Sequence, residues 1–284
     1  MDAHTRSSCY RVSFIFQPCR RPLLLPPALE PLPSFWVQRE PSANLSSPNW
    51  FPRLPPYTSV YSFARRNHPS PPPVSSKVEF KEVIVDFESL YDGNEAEKAK
   101  FASIPAASAV FITMGTTRAA AGSMAAFEKI DRGYVLASAK ALLQPSNPAT
   151  LVYCSSGSSS SSSLFPYLKS KGLTEEGLAN LYEKCIILRP GFLQNAERPQ
   201  LRLMEKAVEP LMNLASKFSG SLAAPVGDVA KAMLRAAQKG PAELKKEGLG
   251  EDPGKSFRVE EGKSREAFVV VGNPAVLKLA RDQA

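Results

Sequence analysis

The pattern of apolar and polar positions changes character at residue 57. From there on, short apolar runs alternate with longer segments of helical period. YTSVYSFARR (57–66) reads as a strand ending in two arginines. KEVIVDF (81–87), ASAVFITMG (107–115), ATLVYCSS (149–156) and KCIILRPG (184–191) read as further strands. Between them, 94–101, 123–143 and 167–181 predict helices. The second of these places Phe127, Ile130, Tyr134 and Ala137 on roughly one face. Residues 201–218 and 226–238 also predict helices, 241–255 a polar loop, and 256–273 a hairpin or paired strands. Strands alternating with helices imply an α/β fold with a parallel sheet covered on both faces.

The first 43 residues break this rhythm. They are rich in Arg, Pro and Ser and form an extension, either disordered or resembling a mitochondrial targeting segment. Pro18, Pro22, Pro26 and Pro27 oppose the amphipathic helix that targeting uses. The run YRVSFIF (10–16) is able to form a strand. The expected division is therefore an extension over 1–43 and an α/β domain over 44–284.

Charge follows the same division. The net charge is +8, but residues 1–76 hold eight Arg, no Lys and three acids, leaving only +3 for the rest. The basic excess belongs to the N-terminal part, where arginines are scattered among prolines without a stacking platform, so nucleic-acid binding is not expected. Four cysteines without Cys-x-x-Cys spacing and two histidines exclude an ordinary zinc site, and no metal is expected. No apolar run reaches the length of a membrane span.

In a parallel sheet, ligands sit at the carboxyl ends of the strands. Those ends carry Arg65 and Arg66, Asp86, Gly115-Thr116-Thr117, Ser155-Ser156-Gly157 and Arg189-Pro190-Gly191. The segment SSGSSSSSSLFPYLKSK (155–171) is the most informative. A serine run ordinarily reads as a flexible linker. Here it follows a strand end and leads into Tyr167 and Lys171, four apart and so on one helical face. A nearby ammonium favours the tyrosinate, which lets tyrosine exchange a proton with a substrate oxygen. A serine hydroxyl from the strand end then holds the substrate carbonyl. Ser155 and Ser156 are both candidates. Residues 158–163 are expected to be a linker-like loop. Arg65 and Arg66, without a nearby acid, suit the 2′-phosphate of NADP better than the free ribose of NAD.

The ordered set VFITMGTTRAAAGS, KIDRGYVL, LVYCSSGSSSSSSLFPYLKSKG and IILRPGFL resembles the atypical short-chain dehydrogenase/reductases. More closely it is similar to the fungal found-in-mitochondrial-proteome subgroup, kin of the Tat-interactive oxidoreductase. The match runs from about residue 44 to about 240. The resemblance implies a doubly wound Rossmann-like fold binding NADP(H) in preference to NAD(H), and a small carbonyl or alcohol substrate. It implies that Tyr167 and Lys171 are the catalytic pair, with Ser155 or Ser156 the catalytic serine and Lys171 also reaching the cofactor ribose. It implies that Asp86 contacts adenine, that Gly115, Thr116 and Thr117 lie beside the cofactor, and that Arg189, Pro190 and Gly191 line its nicotinamide side. It also implies peripheral association with the mitochondrial outer membrane; a cytoplasmic location is the alternative.

One part of the pattern is missing. The family begins with a strand and a Gly-x-x-Gly-x-x-Gly loop, yet the first glycine here is Gly93. The first strand and phosphate-binding loop are therefore absent or replaced. Without them the edge of 107–115 stands open unless YRVSFIF fills the gap. Two readings follow. One is an NADP(H)-dependent oxidoreductase with a Ser/Tyr/Lys centre. The other is a catalytically impaired scaffold or regulatory protein at the mitochondrial surface.

Overall fold

The computed structural model describes residues 11–18, 57–67, 78–143, 148–194, 223–261 and 268–282. Its main sheet has seven strands in the order β3-β2-β1-β4-β5-β6-β9. The strands are β1 (Arg11–Pro18), β2 (Tyr57–Ala64), β3 (Glu79–Ile84), β4 (Ala109–Ile112), β5 (Thr150–Cys154), β6 (Lys184–Arg189) and β9 (Phe268–Gly272). β7 (Phe192–Gln194) and β8 (Ala223–Pro225) form a separate two-stranded parallel sheet. All pairs in the main sheet are parallel except those made by β1.

Alternation along the strands explains why helices cover both faces. Leu151 and Tyr153 of β5, with Cys185 and Ile187 of β6, join one buried cluster, while Val152, Ile186 and Leu188 join the other. The first cluster lies beneath α1 (Phe87–Tyr91), α2 (Glu95–Ala102), a helical stretch from Met124 to Ala141, and α6 (Pro166–Leu181). The second receives α7 (Val226–Lys246) and α8 (Asn273–Arg281). The stretch from Met124 is α4 (Met124–Glu128), a π-helical turn (Lys129–Tyr134) and α5 (Val135–Ala141). Before it comes the single turn α3 (Arg118–Ala121). Polar side chains close the helix starts: Asp86 caps α1, Asn94 α2, Thr117 α3 and Ser123 α4.

The centre of the sheet departs from the parallel rule. β1 fills the gap between β2 and β4, running antiparallel to both. Arg11 pairs with Ala64, and Phe16 with Ala109. The amino end of β1 therefore lies at the edge where the parallel strands have their carboxyl ends. A strand followed by a Gly loop and helix would deliver its carboxyl end there instead. β1 closes the open edge but cannot carry a phosphate-binding turn in that place.

Three expectations need correction. Among the described residues of 256–273 there is no hairpin: β9 is the one strand, pairing with β6 in parallel, while Glu251 makes a single bridge to Val270. The polar segment from 241 is helical as far as Lys246, with a break at Gly240 (φ 73°) ahead of Pro241. Pro at the first turn of a helix costs no hydrogen bond, so the chain resumes its helix there. The serine run is folded, as shown below. The helix expected over 201–218 lies outside the described residues.

Because β1 is the partner of both β2 and β4, a chain lacking residues 1–18 exposes two strand edges at once. Such a chain is expected to associate or precipitate in size-exclusion chromatography with light scattering. A monomer with an unchanged unfolding midpoint would contradict the central role of β1.

Candidate active site

The parallel register carries the candidate residues to one edge of the sheet. Ala64 lies opposite Ile84, Ile112 opposite Tyr153, and Cys154 opposite Leu188. Arg65 and Arg66, Asp86, Gly115 to Thr117, Ser155 and Ser156, and Pro190 and Gly191 all follow these ends, where Arg189 closes β6.

α6 supplies Tyr167 and Lys171. Tyr167 is 40% exposed, its ring 5.5 Å from that of Phe127. Lys171, one turn on, is 5% exposed. Its Nζ lies 2.9 Å from Asp131 Oδ1 and donates to the Tyr153 hydroxyl at 3.1 Å. Asp131 is wholly buried in the π-helical turn. Burial works against the Lys171 ammonium, but Tyr153, Asp131 and Tyr167 outweigh it and hold its pKa well above the ordinary lysine value. Burial pushes the Tyr153 phenol up. Tyr153 touches Lys171 but is sealed from solvent, so Tyr167 is the tyrosine of this pair that a substrate can reach.

Gly115 lies against the same buried pair. A Cβ there would approach Asp131 Oδ1 to 3.1 Å and Lys171 Nζ to 3.3 Å, tighter than an ordinary contact. Glycine thus lets the chain just beyond β4 run directly over the buried pair. The Thr116 amide makes a long contact (3.4 Å) to the same carboxylate oxygen.

The serine run is a built turn. The Ser160 amide donates to Leu168 O, the Ser163 amide to Ser160 O, and the Ser161 hydroxyl to Glu176. Ser158 takes φ 62°. α6 packs so closely that a Cβ on Gly172 would fall 2.1 Å from Ser161 N. The linker expectation for 158–163 therefore fails. Six small side chains leave room for a helix backbone to lie against the loop, and their hydroxyls satisfy its polar groups.

Ser155 and Ser156 differ in surroundings. Ser155 is buried, its amide bonded to Leu188 O at 2.8 Å and its hydroxyl donating to Glu175 Oε1 at 2.5 Å. Ser156 is half-buried, and its hydroxyl makes no hydrogen bond among the described residues. Arg189 forms a fork on Glu175, with Nε to Oε1 at 3.1 Å and Nη2 to Oε2 at 2.5 Å. Pro190 O accepts from the Gly157 amide, and the Gly191 amide donates to Asn273 Oδ1. Asp86 is exposed; its two oxygens accept from the Glu88 and Ser89 amides and the Ser89 hydroxyl.

No family model matches the chain. Individual proteins do. The chain is 31% identical over 182 residues to "Protein fmp52-2, mitochondrial" of Aspergillus oryzae, covering 63% of this chain and 71% of that protein. It is 32% identical over 181 residues to "Protein FMP52, mitochondrial" of Coccidioides immitis, covering 62% and 68%. The chain belongs to the FMP52 family. A relative of the same name in Candida albicans is 32% identical over 155 residues, 51% of this chain and 67% of that protein.

In this FMP52-family chain, sequence reasoning missed Asp131, Tyr153, Glu175 and Asn273. Only Glu175 had a local signal: it extends the four-residue spacing Tyr167, Lys171 along the same helical face. The others reach the site through tertiary contacts alone. Among the described residues no cluster of His, Cys, Asp or Glu suits a metal ion.

Two outcomes follow. Asp131→Ala leaves a buried ammonium short of its counter-charge and should cost about 3–5 kcal/mol in urea unfolding. Since Lys171 titrates higher folded than unfolded, this stabilisation is whole below roughly pH 10 and lost as pH climbs through the folded value. Gly172→Ala, forced against loop backbone, should cost roughly 1–3 kcal/mol in the same assay. A neutral result for it would contradict the close packing of the serine turn.

Proposed function

We propose that the chain is an NADP(H)-dependent oxidoreductase of the short-chain dehydrogenase/reductase type, acting on a small carbonyl or alcohol. The observation that carries this reading is the stacking of an exposed Tyr167 one helical turn from a buried, positively charged Lys171 at the ligand edge of the sheet. When bound, the reduced nicotinamide supplies a hydride to the carbonyl carbon. Tyr167 gives its proton to the developing alkoxide, and the fixed charge of Lys171 stabilises the tyrosinate left behind. Ser156 donates to the same substrate oxygen, since its hydroxyl is uncommitted while that of Ser155 is held by Glu175.

The residues suit the two ends of the cofactor unequally. Arg65 and Arg66 follow β2 where an adenosine 2′-phosphate would lie, and Gly115, Thr116 and Thr117 follow β4. In this reading Asp86 would meet the adenine, and Pro190 and Gly191, which follow Arg189 at the end of β6, would line the nicotinamide. The pyrophosphate lacks its usual partner, because β1 brings its amino end to this edge. That favours a second reading, a scaffold or regulatory protein that retains the site without turning over. For either, the relatives' names support a mitochondrial location, and peripheral attachment to the outer membrane is part of the proposal. No helix among the described residues is long and apolar enough to cross a membrane.

Calorimetric titration with NADPH and NADH tests the cofactor. Tighter binding of NADPH, weakened by replacing Arg65 and Arg66 with alanine, is the expected result. Tyr167→Phe should then lower kcat by about 10²–10⁴-fold with the fold intact. Binding of neither nucleotide, together with stable capture of a mitochondrial protein, would favour the scaffold. Unchanged turnover in the phenylalanine variant would sink the role of Tyr167.

A further inference from the structure

Tyr167, Lys171 and Glu175 occupy successive turns of one face of α6, a span of about 12 Å. The first is exposed, while the second and third are buried. Glu175 is the deepest, its side chain entirely out of solvent. A carboxylate so placed must be satisfied by protein donors. It has three: Nε and Nη2 of Arg189 at the end of β6, and the hydroxyl of Ser155 just beyond β5. Burial raises its pKa, opposed by Arg189, Ser155 and Lys171.

These bonds tie together the three elements that carry the candidate chemistry. α6 holds Tyr167 and Lys171. The turn after β5 holds Ser155 and Ser156. The end of β6 holds Arg189 and leads into Pro190 and Gly191. The Ser155 amide bonds to Leu188 O and the Gly157 amide to Pro190 O, so the serine turn is already joined to β6 through its backbone. Glu175 adds the link to the helix. It also claims the Ser155 proton, which leaves the Ser156 hydroxyl as the uncommitted one of the two. The Ser159 hydroxyl, 3.3 Å from Ser155 Oγ, donates to Ser156 O at 2.7 Å and so fixes the same turn from the other side.

We propose that Glu175, braced by Arg189, is a positioning residue for the reaction: it sets the Ser156 hydroxyl against Tyr167 by holding Ser155. The inference rests on the oxidoreductase reading and deepens it. It assigns Arg189 to the helix–strand brace rather than to direct contact with cofactor. Misplacement by about 1 Å can cost 10²-fold in rate, so a brace of this kind acts on kcat.

The test uses the full chain, with NADPH oxidation followed on phenanthrenequinone as the carbonyl probe. Glu175→Gln, Ser155→Ala and the two combined are compared. The expected result is a fall in kcat of roughly tenfold in each single variant, with no further fall when they are combined and KM for NADPH within about twofold. Glu175→Gln leaves Arg189 without its counter-charge, which threatens folding. The apolar pair Glu175→Leu with Arg189→Met removes both charges together and is the second variant. It should fold, bind NADPH and show the same loss of kcat. A merely structural role would lower the unfolding midpoint while leaving kcat per folded molecule unchanged, and that result overturns the inference alone. A parent chain that oxidises no NADPH overturns it together with the oxidoreductase reading.

Discussion

The arrangement turns on one buried charge. Lys171 lies beneath the ligand edge with almost no solvent contact, and an ammonium there is tolerable only with a counter-charge close by. Asp131 provides it from the π-helical turn, and the Tyr153 hydroxyl provides an acceptor from β5. The pair therefore fixes three elements relative to one another. It also explains Gly115, whose missing side chain lets the chain beyond β4 pass over the ions, and it holds the charge one helical turn from Tyr167. Buried ion pairs are weak contributors to net stability but expensive to break singly, which is how they enforce geometry.

A second ionic brace lies one turn further along the same helix. Glu175 and Arg189 pair across α6 and β6, and Ser155 completes the acceptor set. Two buried pairs at successive turns of α6 thus register the helix against the π-helical turn, β5 and β6. The apolar core on this face, including Leu178, Tyr153 and Ile187, supplies the burial energy. The ions decide which residues meet at the edge.

The centre of the sheet follows another logic. The strand between β2 and β4 satisfies backbone hydrogen bonds and removes two open edges. Antiparallel pairing meets that need as well as parallel pairing does. It does not place a helix amino terminus at the ligand edge, where backbone amides would meet a pyrophosphate. Sheet integrity is thus met by a strand whose direction puts no following turn at that edge.

The sequence by itself determined the alternation of strands and helices, the parallel edge with its candidate residues, the Tyr-x-x-x-Lys pair and the lack of an early glycine loop. These are local properties, written in period and spacing. Its errors were also local: the polar composition from residue 241 concealed a helix that restarts at Pro241, and the serine run read as a linker because its contacts are with α6. Only the tertiary structure decided the direction of β1, since a strand pairs either way and its neighbours choose. Only it decided that Asp131, 40 residues from Lys171, neutralises that lysine, and that Ser155 rather than Ser156 gives its proton to Glu175. Such pairings depend on which side chains are removed from water together, and no single stretch of chain encodes that.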